Sequence, residues 1–171
     1  MPIPNVPQPD YITVDNRIRL RKFDDHYDFA LAWYQDEDTN FMVDGRRGAY
    51  DFDQLSRRYH YLEKKGEVYF IEILEDDVYH PIGDVTFWQE DMPIVIGDPN
   101  YRSLGIGKKV ISTLIERGKS LGYSHLEVGE IYNWNLHSQK CFECLGFRVW
   151  KRTEKGASYR LELEYSSKLL V

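Results

Sequence analysis

The chain has 171 residues, 42% of them apolar, with 22 basic and 28 acidic side chains and a formal net charge of −6. That length suits one domain with a single buried core. The acidic balance argues against nucleic acid as the main partner, which calls for a basic face. No apolar run reaches the roughly eighteen residues of a membrane span. The opening MPIPNVPQPDY has no basic stretch ahead of an apolar one, so no secretory signal is read and the expected location is cytoplasmic. Cys141 and Cys144 are the only cysteines; with no further His/Cys set beside them they read as free thiols, and no metal is expected.

Residues 1–11 carry Pro2, Pro4, Pro7 and Pro9, which rules out helix and central strand and predicts an extended arm ahead of a single domain over 12–171. Ile12, Val14, Ile18 and Leu20 share one parity and predict a strand over 12–23, with a turn near Asp15-Asn16. A helix is predicted from Asp24-Asp25 to an end around Gln35–Asn40, carrying Tyr27, Phe29, Ala30, Ala32 and Trp33; the chain from Asp36 to Tyr50 is read as irregular. A second helix over 51–65 has Phe52, Leu55, Tyr59 and Leu62 at helical spacing, and Gly66 closes it. Strands at 68–74, 82–89 and 92–97, joined by short polar turns, predict an antiparallel meander. A helix over 105–121 and a strand over 124–131 follow, so that strand should run parallel to 92–97 through a crossover. A helix over 135–145 and a hairpin of 147–151 with 158–165 complete the chain. The expected class is α/β: one mixed sheet of six or seven strands with three or four helices.

One stretch organises this pattern: Asp98-Pro99-Asn100-Tyr101-Arg102-Ser103-Leu104-Gly105-Ile106-Gly107-Lys108-Lys109. An apolar strand enters it and an amphipathic helix leaves it. Gly105 and Gly107 lack Cβ atoms where the helix begins, so a ligand can approach the backbone closely. Unpaired N–H groups and the positive end of the helix dipole point the same way, an arrangement suited to phosphate. Arg102, Lys108 and Lys109 add mobile positive charge. A bare G-x-G is also an ordinary turn, and the stretch is neither the dinucleotide fingerprint nor a P-loop. A second stretch, Asn135-Leu136-His137-Ser138-Gln139-Lys140-Cys141-Phe142-Glu143-Cys144-Leu145-Gly146-Phe147, reads by itself as a capped packing helix.

Taken together, R-x-x-G-x-G followed one helix and one strand later by N-x-x-[AS]-x-x-x-[FY]-x-x-x-G-F resembles the GNAT superfamily of acyl-CoA-dependent N-acyltransferases. The run I-V-I-G-D-x-x-Y-R resembles the branch holding ribosomal-protein N-terminal, spermidine and aminoglycoside 6′-acetyltransferases. The resemblance implies a single-domain GNAT-like fold whose parallel strands splay apart, with acetyl-CoA as cosubstrate. It implies that backbone groups near Val95, Ile96 and Gly97 bond the pantetheine arm. The pyrophosphate would be held by Arg102, Ser103, Leu104, Gly105, Ile106, Gly107 and Lys108. Asn135 and Ser138 would contact the pantetheine amides, and Phe142 would pack near the thioester.

The implied reaction is attack of a neutral amine on the thioester. A free alkyl amine titrates near about 10.4, so a base is wanted. Asp91 and Glu90, at the turn into the 92–97 strand, and Glu72, a charge within an apolar strand, are the candidates; a water chain is the alternative. The N–H of Ile96 or Gly97 can receive the oxyanion. Phe142 stands where many members carry the tyrosine that protonates the leaving thiolate; either another group supplies that proton, with Tyr132 or Cys141 as the candidates by proximity, or the thiolate simply leaves, which a thiol pKa near about 8.5 tolerates. Trp33, Tyr34, Asp36 and Trp88 are the expected amine site, holding a cation by charge and by aromatic faces. The expected acceptor is a small polycationic amine. A protein N-terminus, with an open groove for peptide, and a non-catalytic CoA-binding module remain alternatives, as does a homodimer.

Overall fold

The structure, a computed structural model, describes residues 1–164. It forms two compact units: Met1–Trp88 with Pro93–Gly107, and Gln89–Met92 with the chain from Lys108 onward.

In the first unit, the Asp15 carboxylate accepts from the N–H groups of Arg17 and Ile18, each at 2.8 Å. This turn breaks the first predicted strand into a hairpin of β1 (Tyr11–Thr13) and β2 (Ile18–Lys22). β3 (Glu67–Glu75) and β4 (Val78–Phe87) are joined at Asp76 and Asp77, whose φ values of 50° and 61° match the twist that a tight hairpin needs. β5 (Ile94–Ile96) closes a five-stranded sheet in the order β1-β2-β3-β4-β5, antiparallel throughout. The N–H groups of Gly97 and Asp98 both donate to Ile82 O, at 2.8 and 3.0 Å, and this ends the strand. The meander is as the short turns predict.

The helices of this unit depart more from expectation. A 3-10 turn, Asp28–Ala30, runs into the short α1 (Leu31–Tyr34). α2 (Glu37–Asp44) occupies chain expected to be irregular. Asp36 caps it by accepting from Asp38 N, Glu37 and Asp38 complement the dipole in its first turn, and Gly45 ends it at φ 70°. α3 (Phe52–Lys65) starts from a full capping box between Asp51 and Gln54. The register aligns Phe70, Asp84 and Val95, and Val68 with Thr86, on one sheet face. Tyr27, Trp33, Tyr34, Leu55, Tyr59 and Leu62 pack with Val68, Phe70 and Val95 in one core cluster. The proline arm lies on the unit: Ile3 is buried, Gln8 Nε2 donates to Val68 O at 2.9 Å, and Asp10 O accepts from Lys22 N at 2.8 Å.

The second unit holds a three-stranded antiparallel sheet in the order β6-β8-β7, from β6 (His125–Tyr132), β7 (Arg148–Arg152) and β8 (Gly156–Glu162). The hairpin end expected at Tyr165 lies outside the described residues. α4 (Ile106–Ser120) buries Val110, Ile111 and Leu114 at its periodic positions, and Gly118 lets it sit against Leu126. α5 (Leu136–Cys144) is capped by Asn135. The α/β class holds, but the single mixed sheet resolves into one sheet of five strands and one of three. Among the described residues no helix is long and apolar enough to cross a membrane.

Candidate active site

Beyond β5, the Asp98 carboxylate caps a 3-10 turn, Pro99–Tyr101, by accepting from Asn100 N at 3.0 Å. The chain then reaches Ile106, where α4 starts, through two residues of positive φ, Ser103 at 60° and Gly105 at 78°. A Cβ at Gly105 would meet nothing within 4 Å, and one at Gly107 only Ile94 Cδ1 at 4.0 Å. No protein atom therefore demands glycine at 107, and the space over both glycines is open at the start of α4. Ser103, Leu104, Gly105 and Lys108 are exposed, while Ile106 is buried and anchors the turn.

Arg102 is placed differently from the mobile charge expected of it. Its Nε donates to Ile96 O at 2.9 Å and its Nη2 to Gly97 O at 3.1 Å. The same Nη2 donates to Thr39 Oγ1 at 3.1 Å. The guanidinium is thus bound to the end of β5 and to α2. Gly97 also has a structural duty. A Cβ there would fall 2.1 Å from Trp33 Cγ, so the glycine is the seat of that ring, and its N–H is already given to Ile82 O. Strand alternation leaves the Ile96 N–H on the open edge of β5, the last strand of its sheet. Val95 is buried beneath α1 and α3.

The expected amine pocket is largely core. Trp33 and Tyr34 are buried, at 8% and 0% exposure. Asp36 is exposed and serves as the α2 cap; bonds from Thr39 and Asp38 and the Arg102 charge outweigh desolvation and lower its pKa. Trp88 is half-buried, packed on the same aromatic cluster.

Among the proposed bases, Glu72 is buried on β3 and held by two arginines, with Arg19 Nε and Arg21 Nε at 2.8 and 3.0 Å. Both of its carboxylate oxygens are therefore engaged within the sheet. Asp91 accepts from its neighbour Met92 N at 2.9 Å and from Gly129 N, at the β6 register shift, at 2.7 Å. Glu90 is exposed at its turn.

A carboxylate not singled out by its sequence context lies instead at Asp84 on β4, 2% exposed. Its Oδ2 accepts from Tyr34 OH at 2.7 Å and Tyr59 OH at 2.8 Å. Burial pushes its carboxyl above the usual range, against the lowering effect of Arg58 and the two hydroxyls. Arg58 lies over the Tyr34 ring and 3.6 Å from Asp44, which accepts from Tyr50 OH. Thr86 Oγ1, two residues along the same face of β4, is buried without a partner. The signal for this cluster was a lone Asp in the apolar run Ile82–Phe87.

On α5, Asn135 Oδ1 accepts from Ser138 N at 3.2 Å, so these two residues form the helix cap. Phe142 is buried, edge-on to Phe147 with centroids 5.2 Å apart. Burial raises the Cys141 thiol, with Cys144 reinforcing and Lys108 opposing, so it stays protonated at neutral pH. Tyr132 stacks on Trp134 at 4.7 Å. Among the described residues no cluster of three or more His, Cys, Asp or Glu side chains is disposed to hold a metal.

The fold is similar to that of a domain from Methanocaldococcus jannaschii, at 20% identity over 87% of this chain and 100% of that one, with a TM-score of 0.77. It is similar to spermidine N-acetyltransferase from Vibrio cholerae, solved with CoA and spermine, at 14% identity over 85% and 94% of the chains, TM-score 0.65. It is also similar to aminoglycoside acetyltransferase AAC(6′)-Ib, solved with coenzyme A, at 13% identity over 85% and 94%, TM-score 0.68. Residues 27–147 match the family described as the acetyltransferase (GNAT) family, and the chain, an acetyltransferase by that match, belongs to it.

Proposed function

We propose that the protein moves the acetyl group of acetyl-CoA to a primary amine of a small polycation, in a ternary complex. The observation that carries this reading is the 102–107 loop: two positive-φ residues, an open space above Gly105 and Gly107, and a helix N-terminus behind them. Backbone donors at such a place take a pyrophosphate. The amine nitrogen attacks the thioester carbonyl, the C–S bond breaks, and the thiolate leaves; with a thiol pKa near about 8.5 it can depart unprotonated. The edge-facing N–H of Ile96 is the remaining oxyanion donor of the two expected, since that of Gly97 is committed.

For the proton taken from the amine, Asp84 has the character required. It is buried, its carboxyl is raised, and it stands beside Val95 in the register. A buried carboxylate raised in this way is the kind of group suited to taking up a proton, whereas the Glu72 and Asp91 oxygens are engaged by arginine and backbone donors. The polycation reading is supported by the net charge of −6 and by the spermine complex of a protein with a similar fold.

The test is thiol release from acetyl-CoA with spermidine, spermine, ribostamycin and an N-terminal peptide in parallel. Turnover is expected with at least one polyamine or aminoglycoside. Gly107→Val should abolish acetyl-CoA binding in calorimetry while leaving the circular dichroism spectrum and unfolding midpoint near wild type, because only Ile94 Cδ1 is close. Turnover with the peptide alone would sink the acceptor assignment. Undiminished binding in Gly107→Val would sink the loop.

A further inference from the structure

Arg102 opens the phosphate loop, yet its guanidinium is bonded to two segments of the first unit that are remote in sequence. On one side it takes the carbonyls of Ile96 and Gly97, at 2.9 and 3.1 Å. On the other it donates to Thr39 Oγ1 at 3.1 Å, 63 residues away in sequence, and its Nη1 lies 3.8 Å from Asp36 Oδ2. Thr39 passes the link on by donating to Asp36 Oδ2 at 3.0 Å. Asp36 is the cap of α2, so the bridge ends on the group that starts that helix. A second contact runs alongside it, the Trp33 ring seated on Gly97. The guanidinium fork is planar and rigid, so a shift of the loop at 102 must be felt at Thr39 or break the bond.

We propose that Arg102 is a positioning residue that couples the first turn of α2 to the phosphate loop, so that filling the loop orders that helix. The inference rests on the reading of the loop as the acetyl-CoA grip. Its parts suit a bridge that opens and closes rather than a fixed strut. The Arg102 and Asp36 side chains are 36% and 44% exposed, and the ion pair at 3.8 Å is loose. Such contacts are individually weak and respond to small displacements. Couplings of this kind change affinities by about 5- to 150-fold.

The experiment is hydrogen exchange on the full chain, with and without acetyl-CoA, in wild type and in Thr39→Val. The substitution keeps the shape of the side chain and removes both its bonds. In wild type, acetyl-CoA should slow the amides of 37–44 by about tenfold. In Thr39→Val, acetyl-CoA should bind within about threefold of wild type and still slow 103–107, but the slowing at 37–44 should vanish. Equal slowing at 37–44 in the variant overturns the proposal, as does a wild-type helix indifferent to bound acetyl-CoA. Arg102→Lys, which keeps the charge and loses the fork, should uncouple in the same way; complete loss of acetyl-CoA binding there would make Arg102 a phosphate ligand and overturn the positioning role. The ligand-free arm separates failure of the coupling from failure of the loop reading. Without ligand, Thr39→Val should speed exchange at 97–106 as well as at 37–44. A change confined to 37–44 overturns the coupling, whereas wild-type protein that binds no acetyl-CoA overturns the loop reading.

Discussion

Gly97→Ala is a one-methyl change with a large expected effect. The added Cβ would fall 2.1 Å from Trp33 Cγ, 2.4 Å from Cδ2 and 2.6 Å from Cβ. The strand cannot retreat. Gly97 N and Asp98 N both hold Ile82 O on one side, and Gly97 O is held by Arg102 on the other. The ring must move instead, yet it is 8% exposed and stands edge-on to Phe29 at 5.6 Å. Overpacking of this kind costs about 1–3 kcal/mol, and full expulsion of the ring approaches the 3–5 kcal/mol or so of a Trp→Ala truncation. A loss of about 3 kcal/mol, with a urea slope of about 2 kcal/mol per molar, lowers the unfolding midpoint by about 1.5 M. The assay is urea titration followed by far-ultraviolet circular dichroism, run on Gly97→Ala, Trp33→Ala and the double variant. Trp33→Ala removes the clashing ring, so Gly97→Ala should add less than about 0.5 kcal/mol in that background. An unchanged midpoint in the single variant, or full additivity in the double, refutes the seat.

Three further outcomes are expected. Burial, reinforced by Asp44, lifts Tyr50 to about 12, and burial first of all raises Tyr34 and Tyr59 as well. Their folded values exceed the unfolded value near about 10, so this stability is intact below that pH and is lost as pH rises through the folded values; Tyr50→Phe should make the alkaline decline of the urea midpoint shallower. Iodoacetamide at neutral pH should modify exposed Cys144 well before Cys141, whose thiol burial keeps protonated, as peptide mass mapping over time would show. Replacing Asp76-Asp77, at φ 50° and 61°, with Asn-Gly should raise stability by about 1 kcal/mol, read as a higher midpoint; a lower one would mean these side chains hold the turn.

Where local chemistry and tertiary packing agree, the fold was legible in the sequence. The meander of β3, β4 and β5, the capped α3, and α4 with its apolar stripe follow from alternation, caps and helical spacing. α2 was not legible, because its cap and acidic first turn resemble a polar loop and only Phe41, Met42 and Val43 give it an apolar side. The turn into α4 showed through its glycines, since the positive φ of Gly105 and the open space at Gly105 and Gly107 are backbone properties written locally. Side-chain duties were less visible. Nothing near Arg102 says that its partner is Thr39, and nothing near Asp84 says that two tyrosines reach it from α1 and α3. Those pairings depend on which helix lies over which strand, and periodicity does not encode it.

The four residues Gln89–Met92 carry a topological consequence. They connect β4 to β5, two neighbours of the first sheet, yet they belong to the second unit, where Gln89 O accepts from Glu127 N at 2.8 Å and Asp91 Oδ1 from Gly129 N at 2.7 Å. Each unit is therefore discontinuous in the chain, and no single cleavage separates them into two intact fragments. During synthesis Asp91 leaves the ribosome well ahead of Gly129 and waits for its partner, so the turn feeding β5 reaches its final bonding only after β6 has been made.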